Sequence, residues 1–460
     1  MDGWAPVSDE QRARLERDEW SRRLGREPYP HLVTTVLRFR GELDADALTA
    51  ALATVRGRHE ALQMRFRRTD DGWDQSVRPG SFAVRHVDVS EAGEEALSAL
   101  AIESGHELLD VGTGTPLRAA LVRLGERDHA LVLTIEHLVC DGWSVGVLVR
   151  ELGAAYEAGL RGEEPSLPAP AVQFPDFVHW QHERLQGALL EELLGFWRER
   201  LGDRDPAPSY RFPFARAAKP DERRQRGLTE AADVDPRVAA DLAETCRRRR
   251  VTPFMAYAAA LQALVHRYTG ERRIVLPAPV AGRDRPGTED SVGWYATRLP
   301  LILDVEPSAT GSDLLAQAQT FAVEAYDRQE LPYARLVREL QRSAHPDEPP
   351  PYDSDVTINY VPAELMGGLR DLAFGPLSVQ QSEPPLFAAR STLALSLTGG
   401  PPELQAALRY DAAEVDAQTA RRVLDDYAAA LAWLAREPER PVAELRTTAS
   451  TRHAAPRRPR

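Results

Sequence analysis

Residues 131–144 read LVLTIEHLVCDGWS, and they hold the side chains best suited to chemistry. An alternating apolar run closes on Glu136 and His137, and Asp141-Gly142 follows after three more residues. Side chains of a strand alternate between faces. Leu131, Leu133, Ile135 and His137 therefore share one face, and Val132, Thr134 and Glu136 share the other. Only one of Glu136 and His137 can face a given cavity. Asp141-Gly142 suits a tight turn, and Ser144 is a suitable N-cap for a helix carrying Val145, Leu148, Val149 and Leu152. The start of such a helix offers free N–H groups and a partial positive charge. A histidine beside it can hold or remove a proton while the N–H groups stabilise an oxyanion. That is the chemistry of acyl transfer. Taken alone, a histidine that ends a strand is more often structural than catalytic.

Other reactive side chains have plainer readings. Cys140 neighbours His137 and could be a nucleophile, but a small packed side chain is the better expectation. His179 and His182 stand three apart on an expected helix, and a metal site would need further ligands that the sequence does not supply. Trp180, Trp294 and Trp433 read as packing residues. Neither GxxxxGK[ST] nor GxGxxG occurs, so nothing points to ATP or a dinucleotide.

The elements that must position these residues are legible in part. The 460 residues exceed one ordinary core, so two domains are expected. A hydrophobic share of 43% is that of a globular chain. No apolar run is long enough to span a membrane, and the polar start MDGWAPVSDEQRARLERDEW is not a secretory signal. Two cysteines, Cys140 and Cys246, form no disulfide framework, which fits a reducing cytoplasm. The net charge of −13 argues against nucleic acid as the main partner. Lys219 is the single lysine, and the run RRRR at 247–250 reads as the solvated end of a helix.

VLRFRGEL (36–43) reads as a strand, and Asp44 then caps a helix with Leu48, Ala51, Leu52 and Val55 on one face. The Pro-rich stretch 163–172 reads as a linker. Thr252 caps a helix with Pro253 at its first position, and Gly270 closes it. RRIVLPAPV reads as a strand, a helix begins near Ser312, PPELQAALRYD is a strand, and a long helix runs from about Asp416 to Ala435. The pieces ELDADALTAAL and EVDAQTARRVL both place an Asp at a helix cap after a strand, a faint internal echo compatible with two similar α/β subdomains. The end TTASTRHAAPRRPR lacks apolar periodicity and is expected to be disordered.

EHLVCDGWS resembles the His-His-x-x-x-Asp-Gly motif of the condensation-domain superfamily of nonribosomal peptide synthesis. Further segments resemble that family's in its own order: RHEALQMRF (58–66), FPDFVHWQHE (174–183), the block 251–283, VGWYATRLPL (292–301), QELPYARLVREL (329–340) and TINY (357–360). The resemblance spans about residues 8–446.

It implies an α/β (α+β) fold of two chloramphenicol acetyltransferase-like subdomains set as a V with a tunnel between them. The expected divisions are 1–172, 173–446 carrying the second subdomain, and a disordered basic tail at 447–460. A carrier protein would deliver an acyl or aminoacyl thioester on its phosphopantetheine arm, and an amine or hydroxyl acceptor would attack it; no cofactor is bound permanently. His137 corresponds to the motif histidine tied to catalysis, and Gly142 is expected to offer an oxyanion N–H. Asp141 corresponds to the structural Asp, with Arg58 the first choice of partner and Arg283 the second. Glu136 replaces the first motif histidine and should point away from His137. Trp143, Ser144, Gln63, Trp294, Tyr295, Thr297 and Ser391 are the expected tunnel residues, and no metal is expected. The chain is read as a free-standing, monomeric condensation enzyme working on carrier proteins in trans. Two alternatives stand beside that reading: an O-acyltransferase of the polyketide-associated type, and a non-catalytic module that recruits carriers or tailoring enzymes, as superfamily members with altered motifs do.

Overall fold

The alternating run at 131–137 is a strand, Asp128–Glu136, at the heart of a six-stranded sheet in a computed structural model of the chain. The structure describes residues 3–216, 227–342, 352, 354–363, 372–382 and 391–448. These fall into two compact units. The first is drawn from Met1–Leu189, Ala281–Thr297 and Gly367–Leu386, and the second from Leu190–Val280, Arg298–Met366 and Phe387–Arg460. The sequence reading ended the first subdomain at 172, on the Pro-rich stretch. That stretch does lack helix or strand, but the first unit continues beyond it through the helix Phe174–Arg184 and is then re-entered twice.

In the first unit the sheet runs, edge to edge, Leu372–Phe374, Leu377–Ser382, Leu32–Arg40, Asp128–Glu136, Leu117–Gly125 and Val84–Asp88. Leu32–Arg40 pairs antiparallel with Asp128–Glu136, with Leu32 opposite Glu136 and Val36 opposite Val132. The strand expected at 36–43 thus begins earlier and stops at Arg40. Alternation sorts this sheet into two apolar faces. Even-numbered Val36, Ala120, Val122, Ala130 and Val132 pack under the helix Gly93–His106 through Leu97 and Ala101. Odd-numbered Phe39 meets Phe374 at 5.4 Å between ring centroids, and Phe374 meets Tyr156 of the helix Gly142–Leu160 at 6.1 Å. A sheet buried on both faces needs apolar residues at nearly every position, which LVLTI supplies. Asp44 caps the helix Ala45–Arg58 as expected. A small second sheet joins Ala5–Pro6, Gly72–Val77 and Met64–Thr69.

The second unit has a four-stranded sheet in the order Val356–Pro362, Leu393–Gly400, Glu403–Asp411, Gly227–Asp233, and a two-stranded one of Thr297–Asp304 and Arg273–Val280. Val356, Ile358, Leu393, Leu395, Leu397, Leu404, Ala406 and Leu408 share one core with the helices Pro236–Arg249, Pro253–Thr269 and Ala417–Arg436. The helix Pro253–Thr269 is buried almost all round, because Ala256, Ala258, Ala259, Ala260 and Ala263 let its neighbours close on the backbone. Its Thr252 cap, Pro253 start and left-handed Gly270 end match the sequence reading. Asp416 caps the last long helix as Asp44 caps its counterpart. The arginines 247–249 end the helix Pro236–Arg249, with Arg250 as a left-handed cap.

The expected disordered tail fails at its first residues. Thr448 donates through its N–H and hydroxyl to the buried Asp426 (2.7 and 2.8 Å). The remainder of that tail, 449–460, lies outside the described residues. Among the described residues no helix is long and apolar enough to cross a membrane.

Candidate active site

His137 stands one step past the end of its strand. Its N–H donates to the carbonyl of His31 (2.9 Å), which carries the ladder beyond the Leu32–Glu136 pair. The chain then makes a short 3-10 turn, His137–Val139. Gln11 Nε2 donates to the carbonyl of Leu138 in that turn (2.8 Å), and Gln11 is itself fixed by a capping box with Ser8 at the start of the helix Asp9–Arg23. His137 is half-buried, while Leu138, Val139 and Cys140 after it are fully buried. Alternation sets Glu136 on the even face, beside Thr134, whose hydroxyl lies 2.8 Å from Ser104 of the covering helix. Glu136 is buried as the last residue of its strand, and His137 opens the turn that follows.

Asp141, not Ser144, is the N-cap of the helix Gly142–Leu160. The expectation failed because both residues are good caps and only the backbone shows which one precedes the first turn. The Asp141 carboxylate accepts from the N–H of Ser144 (2.8 Å), from those of Tyr295 and Ala296 (3.0 and 3.1 Å), and from Arg283 Nη2 (3.2 Å); the Ser144 hydroxyl lies 2.7 Å away. Both charged side chains are almost wholly buried, at 1% and 3% exposure. Arg283 also donates to the carbonyls of Ser291 (2.8 Å) and Thr288, and its guanidinium lies 4.2 Å from the centre of the Tyr295 ring. A buried ion pair is tolerated when its remaining hydrogen-bonding capacity is met, and here backbone groups and the Ser144 hydroxyl meet most of it, Arg283 Nε excepted. Gly282 lets Arg283 come so close: its φ is +63°, and a Cβ there would lie 2.0 Å from the Tyr295 carbonyl. The cap leaves Gly142 exposed, with nothing within 4 Å of where its Cβ would be. As the first helical residue, its N–H has no acceptor within the helix.

The model of the family described as "Condensation domain" matches residues 21–455. The chain belongs to the condensation-domain family. One component of the linear gramicidin synthase of Brevibacillus parabrevis is 30% identical over 90% of this chain. The phosphinothricin tripeptide synthetase PhsC of Streptomyces viridochromogenes is 35% identical over 67% of it. The chain spans only 8% and 29% of those two relatives. Among solved structures, the X-domain from teicoplanin biosynthesis aligns with a TM-score of 0.83 at 27% identity, covering 96% of this chain and 97% of that one. The first condensation domain of the calcium-dependent antibiotic synthetase, with a substrate analogue, aligns with a TM-score of 0.76 at 21% identity, over 97% of this chain and all of that one, and so shares the fold. The α/β fold expected from the motifs is therefore the one found, that of condensation domains and their chloramphenicol acetyltransferase-like architecture.

Within this condensation-domain frame, Asp141 pairs with Arg283, and the first choice, Arg58, is corrected. Arg58 instead holds Glu151 (Nε to Oε2 2.9 Å, Nη2 to Oε1 3.2 Å) and the carbonyls of Leu167 and Pro168. It ends its helix 83 positions before Asp141 in a different polar network, whereas Arg283 sits where the chain re-enters the first unit. The expected tunnel residues divide. Trp143 is exposed, its indole N–H donating to the Glu289 carbonyl (2.8 Å). Ser144 has no exposed surface, and its hydroxyl also accepts from Arg283 Nη2 and the Gly293 N–H, so it is spent on the cap network. Gln63 caps the carbonyls of Arg56 and Gly57 at the end of their helix. Tyr295 is buried, which pushes its phenol up to about 12, and it hydrogen-bonds Ser291. Thr297 donates to Glu10 (2.6 Å) and Trp294 packs beside His137. Ser391 belongs to the second unit, buried just before the strand Leu393–Gly400.

Cys140 is sealed, and burial drives its thiol far above the ordinary range, the opposite of what a nucleophile needs. His179 lies at the surface beside Glu183, and His182 lies 2.8 Å from the Val7 carbonyl. Sequence reasoning missed His31 and Gln11. Neither lies in a motif. Only the register of Leu32–Arg40 against Asp128–Glu136 brings His31 opposite His137.

Proposed function

We propose that this chain is a condensation enzyme that transfers an acyl or aminoacyl group from a carrier protein's phosphopantetheine thioester to an amine or hydroxyl acceptor. The acceptor atom attacks the thioester carbonyl, the new C–N or C–O bond forms, and the C–S bond breaks. The proton leaving the nucleophile is held by His137 and ends on the departing thiol. The Gly142 N–H, open at the start of its helix, stabilises the developing oxyanion. The observation that carries this reading is His137 itself. The residue is half-buried at the end of its strand, five residues before the exposed Gly142 that opens the next helix. The change at Glu136 leaves that arrangement intact.

The test is thiol release from aminoacyl- and octanoyl-loaded carrier proteins offered simple amine and alcohol acceptors. The wild type releases the carrier thiol only with an acceptor present, and His137→Ala loses at least ~100-fold, the usual range for a general acid–base group. Release by His137→Ala at the wild-type rate would refute the assigned role. The likeness to the teicoplanin X-domain, which has been solved in a complex with OxyB, favours a second reading as a recruitment module. That reading gains if carrier or tailoring enzyme binds tightly while no acceptor releases thiol.

A further inference from the structure

We infer that His31 is the positioning residue for His137: a second imidazole, delivered by the neighbouring strand, holds the first in its working orientation. The inference rests on the acyl-transfer reading for its consequence, but its geometry stands apart from it. His31 and His137 are directly opposed across an antiparallel ladder, one step beyond the Leu32–Glu136 pair, and joined by the 2.9 Å backbone hydrogen bond. Opposed residues put their side chains on the same face. The two rings accordingly meet with centroids 4.1 Å apart and planes tilted by 33°. Trp294 closes the group, edge-on to both, 4.8 Å from His137 and 5.4 Å from His31. His31 and Trp294 are each 5% exposed. Of the three residues, only His137 is half-buried rather than buried.

This matters because χ2 of a histidine is a soft, broad torsion. An imidazole at the end of a strand, fixed only by its backbone, would swing through a wide arc. Two buried rings packed on it restrict that arc, and the Gln11 bond to Leu138 restrains the turn behind it. A displacement of the reacting group by 1 Å can cost about a hundredfold in rate. The place where the family motif carries its first histidine is taken here by Glu136. The imidazole beside His137 thus comes from a residue 106 positions away.

Three variants and one spectrum decide it. In the thiol-release assay, His31→Ala lowers kcat by about 10–100-fold with KM changed less than about twofold, and His31→Phe, which restores a ring of similar size, recovers most of that loss. The spectrum needs no turnover: in protein labelled with ¹³C-histidine, the His137 resonance, assigned by its disappearance in His137→Ala, moves and broadens in His31→Ala but stays dispersed in His31→Phe. A wild-type kcat and an unmoved His137 resonance in His31→Ala overturn the inference, and so does a His31→Phe as impaired as His31→Ala in both measurements. If the wild type shows no thiol release at all, the acyl-transfer reading falls, and the spectrum alone still decides whether His31 orients His137.

Discussion

Asp141 has 1% of its side chain exposed, and donors from three separate chain segments converge on it. Removing its cation should therefore be felt as folding energy before it is felt as rate. Arg283→Met leaves the carboxylate buried without its cation and takes a donor from the carbonyls of Thr288 and Ser291. Breaking a buried pair from one side destabilises by roughly 3–5 kcal/mol, so the urea midpoint of the variant should fall sharply. Arg283→Lys should recover only part, since an ammonium cannot reproduce the fork that reaches Asp141, Ser144 and two carbonyls at once. A midpoint within experimental scatter of the wild type for Arg283→Met would show that the pair is not a structural anchor. This pairing was half legible beforehand. That the motif Asp pairs with an arginine was implied by the resemblance to the family; which arginine depended on a loop returning from far along the chain, and Arg58 was the nearer but wrong choice.

At the scale of elements, the helix Ala45–Arg58 and the helix Gly142–Leu160 are tied by a second buried network, Arg58 and His59 on Glu151, with His59 Nε2 3.0 Å from the carboxylate. Burial is the largest single influence on Glu151 and raises it, yet the hydrogen bonds and charges of His59 and Arg58 together outweigh it and hold the carboxyl down at about 2. A carboxylate whose folded value lies below its unfolded one, near ~4.3, stabilises the fold fully above the unfolded value. That stabilisation is lost as pH falls through the folded value. Urea unfolding at a series of pH values should show stability declining from about pH 5 to about pH 2, by an amount on the order of 3 kcal/mol for this group. Glu151→Gln should be weaker at neutral pH and flatter across that window; an unchanged slope would remove Glu151 as its source. The helices and their caps were the most legible elements, because Asp44, Thr252, Gly270 and Asp416 act through local geometry that a sequence states directly. Where two capping residues stood close, at Asp141 and Ser144, local geometry did not choose. The strand that ends on Glu136 was legible too, since its apolar run states it directly. His31 was not, since antiparallel register is set by two strands 96 positions apart and neither alone records it.

For the whole molecule, the sequence conveyed two units but not how the chain is shared between them. A boundary at the Pro-rich stretch assumes that each unit is one continuous segment, whereas Ala281–Thr297 and Gly367–Leu386 return to the first unit after most of the second has begun. Those returns supply parts that the first unit cannot replace. Arg283 neutralises Asp141, Tyr295 and Ala296 complete its hydrogen bonds, and Trp294 packs on His137. The strand Leu377–Ser382 covers the edge of Leu32–Arg40, with Val379 opposite Phe39. A fragment of residues 1–189 would therefore carry a buried, unpaired carboxylate and a long apolar strand edge, the second being a template for aggregation. Expressed alone, it should lack a cooperative urea transition and bind a hydrophobic dye, while the full chain unfolds cooperatively. Adding a synthetic peptide of residues 281–297 should restore little, because the strand edge stays open. A fragment of 1–189 that is soluble, monomeric and cooperatively folded would mean that the returning segments decorate a self-sufficient unit instead of completing it, and that the motif could have been placed in a folded domain from its first 189 residues.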